Sequence, residues 1–280
     1  MQPTPEQWAI LSPTERTNFK ISDFFNRDPE AKFVLSQLSA TVGSGYVELA
    51  TSNLCPDHHF DKFTKIDPSR GVMLVANHRS FFDLFAIVAR LFTLYGNHHA
   101  IFFPVRSTFF YDHPLGQCVN IPLAMGSMYP PIMRDPNRKI WNRFSTDLLV
   151  ELLQNPRNMV GFHPEGTRSQ TTDPYELLPA KPGAGELIYR ARPNVVPVFL
   201  QGFPRYAWPG FLHNRGLLKK DVLWAHMVMG DPIHLEEELS LPDSKETYLT
   251  ISQKVMKVIG ELAEEEKVIR RNWDEERRRG

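Results

Sequence analysis

From about residue 66 the chain alternates short apolar runs with amphipathic stretches. The runs GVMLVA (71–76), IFFPV (101–105), MVGF (159–162), VVPVFL (195–200) and LWAHMVM (223–229) are strand-length and read as buried strands. Between them, residues 81–94, 137–154 and 183–191 carry their apolar side chains at helical spacing. Such alternation predicts an α/β layer fold, a mixed and largely parallel central sheet flanked by helices. Residues 1–65 lack strong strand-like runs. There DPEAKFVLSQLSATV (28–42) reads as a helix, with Asp28 as its cap and Pro29 in its first turn. From Ser244, the residues Ile251, Val255, Val258, Ile259 and Leu262 recur three to four apart and predict one long helix. The pattern divides the chain into an N-terminal helical appendage (1–65), an α/β core (66–243) and a C-terminal helix (244–280) packed on the core or extending from it.

Composition narrows this picture without redirecting it. With 280 residues, 42% hydrophobic and 23% charged, the chain can bury a sizeable core. Lys+Arg and Asp+Glu both total 32, so no bulk positive charge draws it to nucleic acid. Cys55 and Cys118 make neither a disulfide framework nor a metal-ligand pattern, which suits a reducing, cytoplasmic setting. The start, MQPTPEQWAILSPTERTNF, has no secretion-signal core. The longest uncharged stretch, His113 to Met133, contains Pro114, Pro122, Pro130, Pro131, Gly116 and Gly126, too many helix breakers for a spanning helix. Association with a membrane surface, on the inner face, stays open. The end, EEEKVIRRNWDEERRRG, carries six acids and six bases and reads as a solvated helix face or a frayed end.

The first candidate chemistry is VANHRSFFDLF (75–85). A strand-like run breaks at Asn77-His78 and a helix-like run begins just after, so His78 stands where open α/β sheets bind ligands. Five residues within one helix turn about 500°, which separates the side chains. A His78–Asp83 hydrogen bond therefore requires His78 in the loop and Asp83 in the first turns of the helix. Asp83 would then hold one ring nitrogen as a donor and free the other to take a proton. On these residues alone, a helix-capping histidine beside a helix-start aspartate is the simpler explanation of the pattern. A metal site fits less well, because the doublets His58-His59 and His98-His99 point neighbouring side chains apart.

The second is GFHPEGTRS (161–169). A strand runs into a tight loop that brings Glu165, Gly166, Thr167 and Arg168 close together. Arg168 can fork onto a phosphate, and Glu165 can hold that arginine or a substrate hydroxyl. A surface turn with a local ion pair is the plainer alternative.

Together, H-x4-D followed about 80 residues later by F-x-P-E-G-T-R resembles the glycerolipid acyltransferase superfamily, which includes lysophosphatidate and glycerol-3-phosphate acyltransferases. Val195-Val196-Pro197-Val198 is similar to its proline-centred strand, and KPGAGELIYRA (181–191) to its Lys-x-Gly segment. The likeness spans roughly residues 66–235. It implies one glycerol-phosphate-acyltransferase-like domain that moves an acyl group from a thioester, acyl-CoA or acyl carrier protein, to the hydroxyl of a lysophosphatidate-type acceptor. It further implies His78 as base, Asp83 as its orienter, no acyl-enzyme, no metal and no bound cofactor. Glu165, Gly166, Thr167 and Arg168 would bind the acceptor head group, with Lys181 or Arg79 reaching the same anion.

One block departs from the family. Ala124 and Met125 stand where Asp-Arg is expected after Ile121-Pro122, so Arg106 or Arg134 would supply the missing charge. Glycerol 3-phosphate, a glycolipid or an amino-acid lipid is the alternative acceptor. A non-catalytic lipid- or phosphate-binding protein is the alternative class. Phe81, Phe82, Phe85 and Pro197 are candidates for an acyl groove, although most such aromatics are core. QGFPRYAWPGFLHNRGLLKK (201–220) mixes bases with aromatics and suits either an anionic membrane interface or an ordinary basic loop.

Overall fold

The computed structural model describes residues 1–45, 56–203 and 225–279. Its strands are β1 (Asp57–His58), β2 (Val72–Ala76), β3 (Ala100–Phe102), β4 (Val105–Arg106), β5 (Pro131–Ile132), β6 (Asn158–Phe162), β7 (Asn194–Gln201) and β8 (His226–Met229). Six of them form a sheet in the order β1-β8-β7-β2-β6-β3, while β4 and β5 pair separately. Within the large sheet only β7–β8 is antiparallel. The principal helices are α1 (Pro5–Ile10), α2 (Pro13–Arg27), α3 (Pro29–Leu38), α4 (Asp83–Tyr95), α5 (Gly116–Ala124), α6 (Lys139–Leu153), α7 (Pro182–Ala191) and α8 (Lys245–Arg279).

The central strands are apolar throughout because both faces of the sheet are covered. Along β2, Met73 and Val75 enter one core with Trp141, Phe144 and Leu148 of α6 and Ile251, Val255 and Ile259 of α8. Val72, Leu74 and Ala76 enter the other with Leu84, Ile87 and Leu91 of α4. β7 divides likewise, Val195 and Phe199 against Val196, Val198 and Leu200. Where α7 meets α8, a Cβ on Gly185 would lie 1.8 Å from the Tyr248 carbonyl oxygen, so only glycine allows the helices this close.

The N-terminal helices are present, and their capping follows the sequence: the Asp28 side chain accepts from Ala31 N at 2.9 Å, with Pro29 opening α3. They pack against the α/β core. Phe19 of α2 is buried in the main core against Trp141 and Phe144. Lys32 of α3 donates to the Ile101 carbonyl of edge strand β3 at 2.7 Å, and β1 joins the sheet beside β8. The C-terminal helix is also more embedded than its charges suggest. Glu266 is fully buried and accepts from Tyr175 Oη and Arg270 Nε, both at 2.7 Å. No helix among the described residues is long and apolar enough to cross a membrane. Most of the basic-aromatic stretch 201–220 lies outside the described residues.

Candidate active site

β2 and β6 are parallel neighbours, with Val75 level with Phe162. The segments that follow, one carrying His78 and the other Glu165 and Arg168, therefore leave the same sheet edge side by side. Asn77 secures the first: its amide donates to Leu200 O and its oxygen accepts from Leu200 N, both at 2.8 Å, where β2 stops pairing with β7. The next turn is wound around one oxygen of Asp83, the first residue of α4. That Oδ2 accepts from Arg79 N and Ser80 N at 2.8 Å each and from His78 Nδ1 at 3.1 Å. The expected geometry is present, histidine in the loop and aspartate in the first turn. His78 Nε2 has no protein hydrogen-bond partner among the described residues.

Glu165 serves differently from the expectation. One carboxylate oxygen accepts from His78 N at 2.9 Å and the other from Leu178 N at 3.2 Å, in a residue 1% exposed. It braces the two loops together, each oxygen accepting from a backbone N–H. Burial raises its pKa. Arg79 is likewise spent inside the protein, donating to Ser169 Oγ, Thr171 Oγ1, Thr171 O and Asp173 O.

The cationic surface comes from elsewhere. Arg106 donates to Thr167 Oγ1 at 2.8 Å and Arg134 to the Gly166 carbonyl at 3.3 Å. Gly166 is at φ 67°, a left-handed conformation that favours glycine, and this tightens the loop. Burial lowers the pKa of both arginines, and repulsion from Arg134 and Arg168 lowers that of Arg106 further. Arg106, Arg134 and Arg168 thus crowd one another around this loop. Lys181 is exposed and enters through its backbone N, which donates to Pro164 O at 2.9 Å. Among the groove candidates, Phe82 is 5% exposed and Pro197 packs inside β7 against Gly230, as core residues do. Phe81 is only partly buried and stacks on Phe85.

Burial, then the charges of Arg168 and Arg106, push His78 down to about 3, and burial pushes Asp83 up to about 6. At neutral pH the imidazole is neutral beside an ionised carboxylate, the state a general base requires. Sequence reasoning missed His163. Its ring lies face to face with His78, centroids 3.8 Å apart and planes 9° apart. Its Nδ1 is 3.0 Å from Ala76 O, and burial followed by His78 lowers its pKa to about 3. The available signal was a second histidine directly after the neighbouring parallel strand. His78, Asp83 and His163 offer ligand atoms within 4.8 Å of one another. The stacked rings keep their lone pairs in two parallel planes, and both Nδ1 atoms are already hydrogen-bonded.

A computed comparison of folds finds the crystal structure of the 1-acyl-sn-glycerophosphate (LPA) acyltransferase PlsC from Thermotoga maritima, with a TM-score of 0.52 and 17% identity over 90% of this chain and 88% of that one. At that identity the likeness is one of fold. No curated protein matches the sequence significantly. The acyltransferase family model matches residues 58–201, slightly over half the chain and the whole of the site just described. The chain belongs to the acyltransferase family.

Proposed function

We propose that this acyltransferase moves an acyl group from a thioester, acyl-CoA or acyl carrier protein, to the hydroxyl of a lysophosphatidate-type acceptor. The observation that carries the reading is His78, tethered through Nδ1 to Asp83 with Nε2 open, beside three arginines. Nε2 takes the hydroxyl proton as the oxygen attacks the thioester carbonyl. The tetrahedral intermediate collapses, the C–S bond breaks, and the thiolate leaves with the proton from the imidazolium. Asp83 holds the ring tautomer and offsets the transient charge. Ser80 supports direct attack rather than an acyl-enzyme, since it is fully buried and its Oγ accepts from Phe82 N at 3.1 Å. Arg106, Arg134 and Arg168 bind the acceptor phosphate and take the place of the arginine absent at Met125.

Exposed Phe24, Phe33, Val34 and Val42 on the first helices and the turn after them support peripheral contact with lipid.

The test is a purified-protein assay with one labelled thioester and a panel of acceptors: lysophosphatidate, glycerol 3-phosphate, a glycolipid and an amino-acid lipid. Transfer to lysophosphatidate, abolished in His78→Ala, is the expected result. Preference for an uncharged acceptor would overturn the arginine assignment, and full activity in His78→Ala would overturn the mechanism.

A further inference from the structure

Asp83 bonds a single atom of the His78 ring. One hydrogen bond restrains the distance of that atom from the carboxylate and leaves the ring room to turn about its own torsions. The direction of Nε2, and hence of proton transfer, depends on the plane of the ring. The contact that sets it is His163, parallel within 9° at 3.8 Å. His163 is itself anchored: its Nδ1 lies 3.0 Å from Ala76 O, and the Asn77 carbonyl also faces the ring. Ala76 ends β2 and Asn77-His78 follow directly, so platform and base hang from the same strand end. Register accounts for the encounter, since Phe162 pairs with Val75 and the next residue comes level with Ala76.

The charges around the base point the same way. Arg168 and Arg106 both oppose an imidazolium at His78. A neutral aromatic face next to a cation attracts it through the ring quadrupole. The stacked ring therefore favours the charged form that exists only during transfer.

We infer that His163 is a positioning residue for the base: its ring sets the plane of His78 and gives the transient imidazolium an aromatic face. This rests on the proposed acyl transfer. It concerns a residue that does not itself touch the reacting atoms.

Two substitutions that keep the space filled separate the aromatic face from mere packing. His163→Phe keeps a ring on His78, and His163→Leu supplies apolar bulk without one. Thermal unfolding checks that each folds, and if the Leu variant does not, His163→Met replaces it with the same expectation. In the Phe variant kcat stays within about threefold of wild type. In the Leu variant kcat falls roughly tenfold while KM for both substrates holds within about twofold. A loss of packing alone would lower the melting temperature without this split. Independently of turnover, the ring-current shift of the His78 ring protons in NMR spectra persists in the Phe variant and disappears in the Leu variant. Equal kcat in the Phe and Leu variants, or a Leu defect confined to KM, overturns the inference and leaves the proposed function standing. A wild type that transfers no acyl group from any thioester overturns the proposed function first, and this inference with it.

Discussion

Two histidine pairs in this molecule have lowered pKa values and nearly parallel rings, yet they are arranged for opposite ends. At the cleft, His78 and His163 meet face to face at 3.8 Å. At the far edge of the sheet, His58 of β1 and His226 of β8 meet through their ring nitrogens, Nε2 to Nδ1 at 3.1 Å, with centroids 5.3 Å apart. A face-to-face pair leaves ring nitrogens available for other work. A nitrogen-to-nitrogen pair commits one nitrogen of each ring to a single shared proton. The second pair is structural: His226 is fully buried under Trp273 of α8, and neighbouring His59 pairs with Glu265 of the same helix. On the proposed mechanism, orientation, more than proximity or pKa, separates the histidine that reacts from one that holds the fold.

The sharpest way to break this contrast is to delete one member of each pair. His78→Ala should cost about two to four orders of magnitude in transfer rate with the fold intact by circular dichroism. His226→Ala should leave kcat unchanged, and the reverse outcome would exchange the two roles. In stability the order inverts. Denaturant unfolding of His226→Ala should show a loss of about 2–3 kcal/mol, from an emptied enclosed site and an orphaned His58 nitrogen. His78→Ala, at the cleft surface, should lose about 1 kcal/mol or less. The cationic side of the cleft gives a smaller effect: Arg106→Ala should raise KM for a phosphate-bearing acceptor roughly tenfold and leave KM for the thioester unchanged.

Acid gives the mildest test. His78 and His163 are held at about 3 and His226 at about 4, below their ordinary 6.5. Between those values and 6.5 the unfolded chain binds protons that the folded chain refuses. This contribution to stability is complete above 6.5 and is lost as the pH falls. Asp83 works in the opposite direction. Raised to about 6 from 3.8, it takes a proton in the folded state first and recovers part of the loss across that window. His58 and His99 are lowered too and Glu165 is raised like Asp83, so imidazoles outnumber carboxylates and the melting temperature should fall as the pH drops from 6.5 to 4. Activity should decline with a limb near pH 6, because protonated Asp83 no longer holds the His78 Nδ1–H. A melting temperature that rises over the same range would contradict the assignment.

Much of the site was legible because its first half is local. The strand-to-helix break at Asn77-His78 and the five-residue spacing to Asp83 specify a loop histidine and a first-turn aspartate without reference to distant residues. The loop at 163–169 was legible as a loop, but the duties of its side chains were not. Glu165 reads as a ligand from sequence, and its bracing of the His78 and Leu178 backbones appears only in the fold. Arg106 and Arg134 read as interchangeable substitutes for a missing arginine, and both reach the loop. Phe82 and Pro197 read as groove candidates and are packed inside.

What the chain determined by itself was periodic: apolar strands at 71–76, 159–162 and 195–200, the helices between them, the Asp28 cap, and the His–Asp turn. Each depends on neighbours in sequence, through backbone geometry and side-chain spacing, and each therefore survives reading one residue after another. What only the tertiary structure decided was partnership. The strand order β7-β2-β6 sets the turn after Ala76 beside the loop after Phe162, stacking His163 on His78. The same packing drives the Phe19 helix into the core and buries Glu266 in the charged end of the C-terminal helix, which reads as solvated in sequence. Contacts between residues distant in sequence follow from which surfaces bury together, and no local pattern encodes that choice.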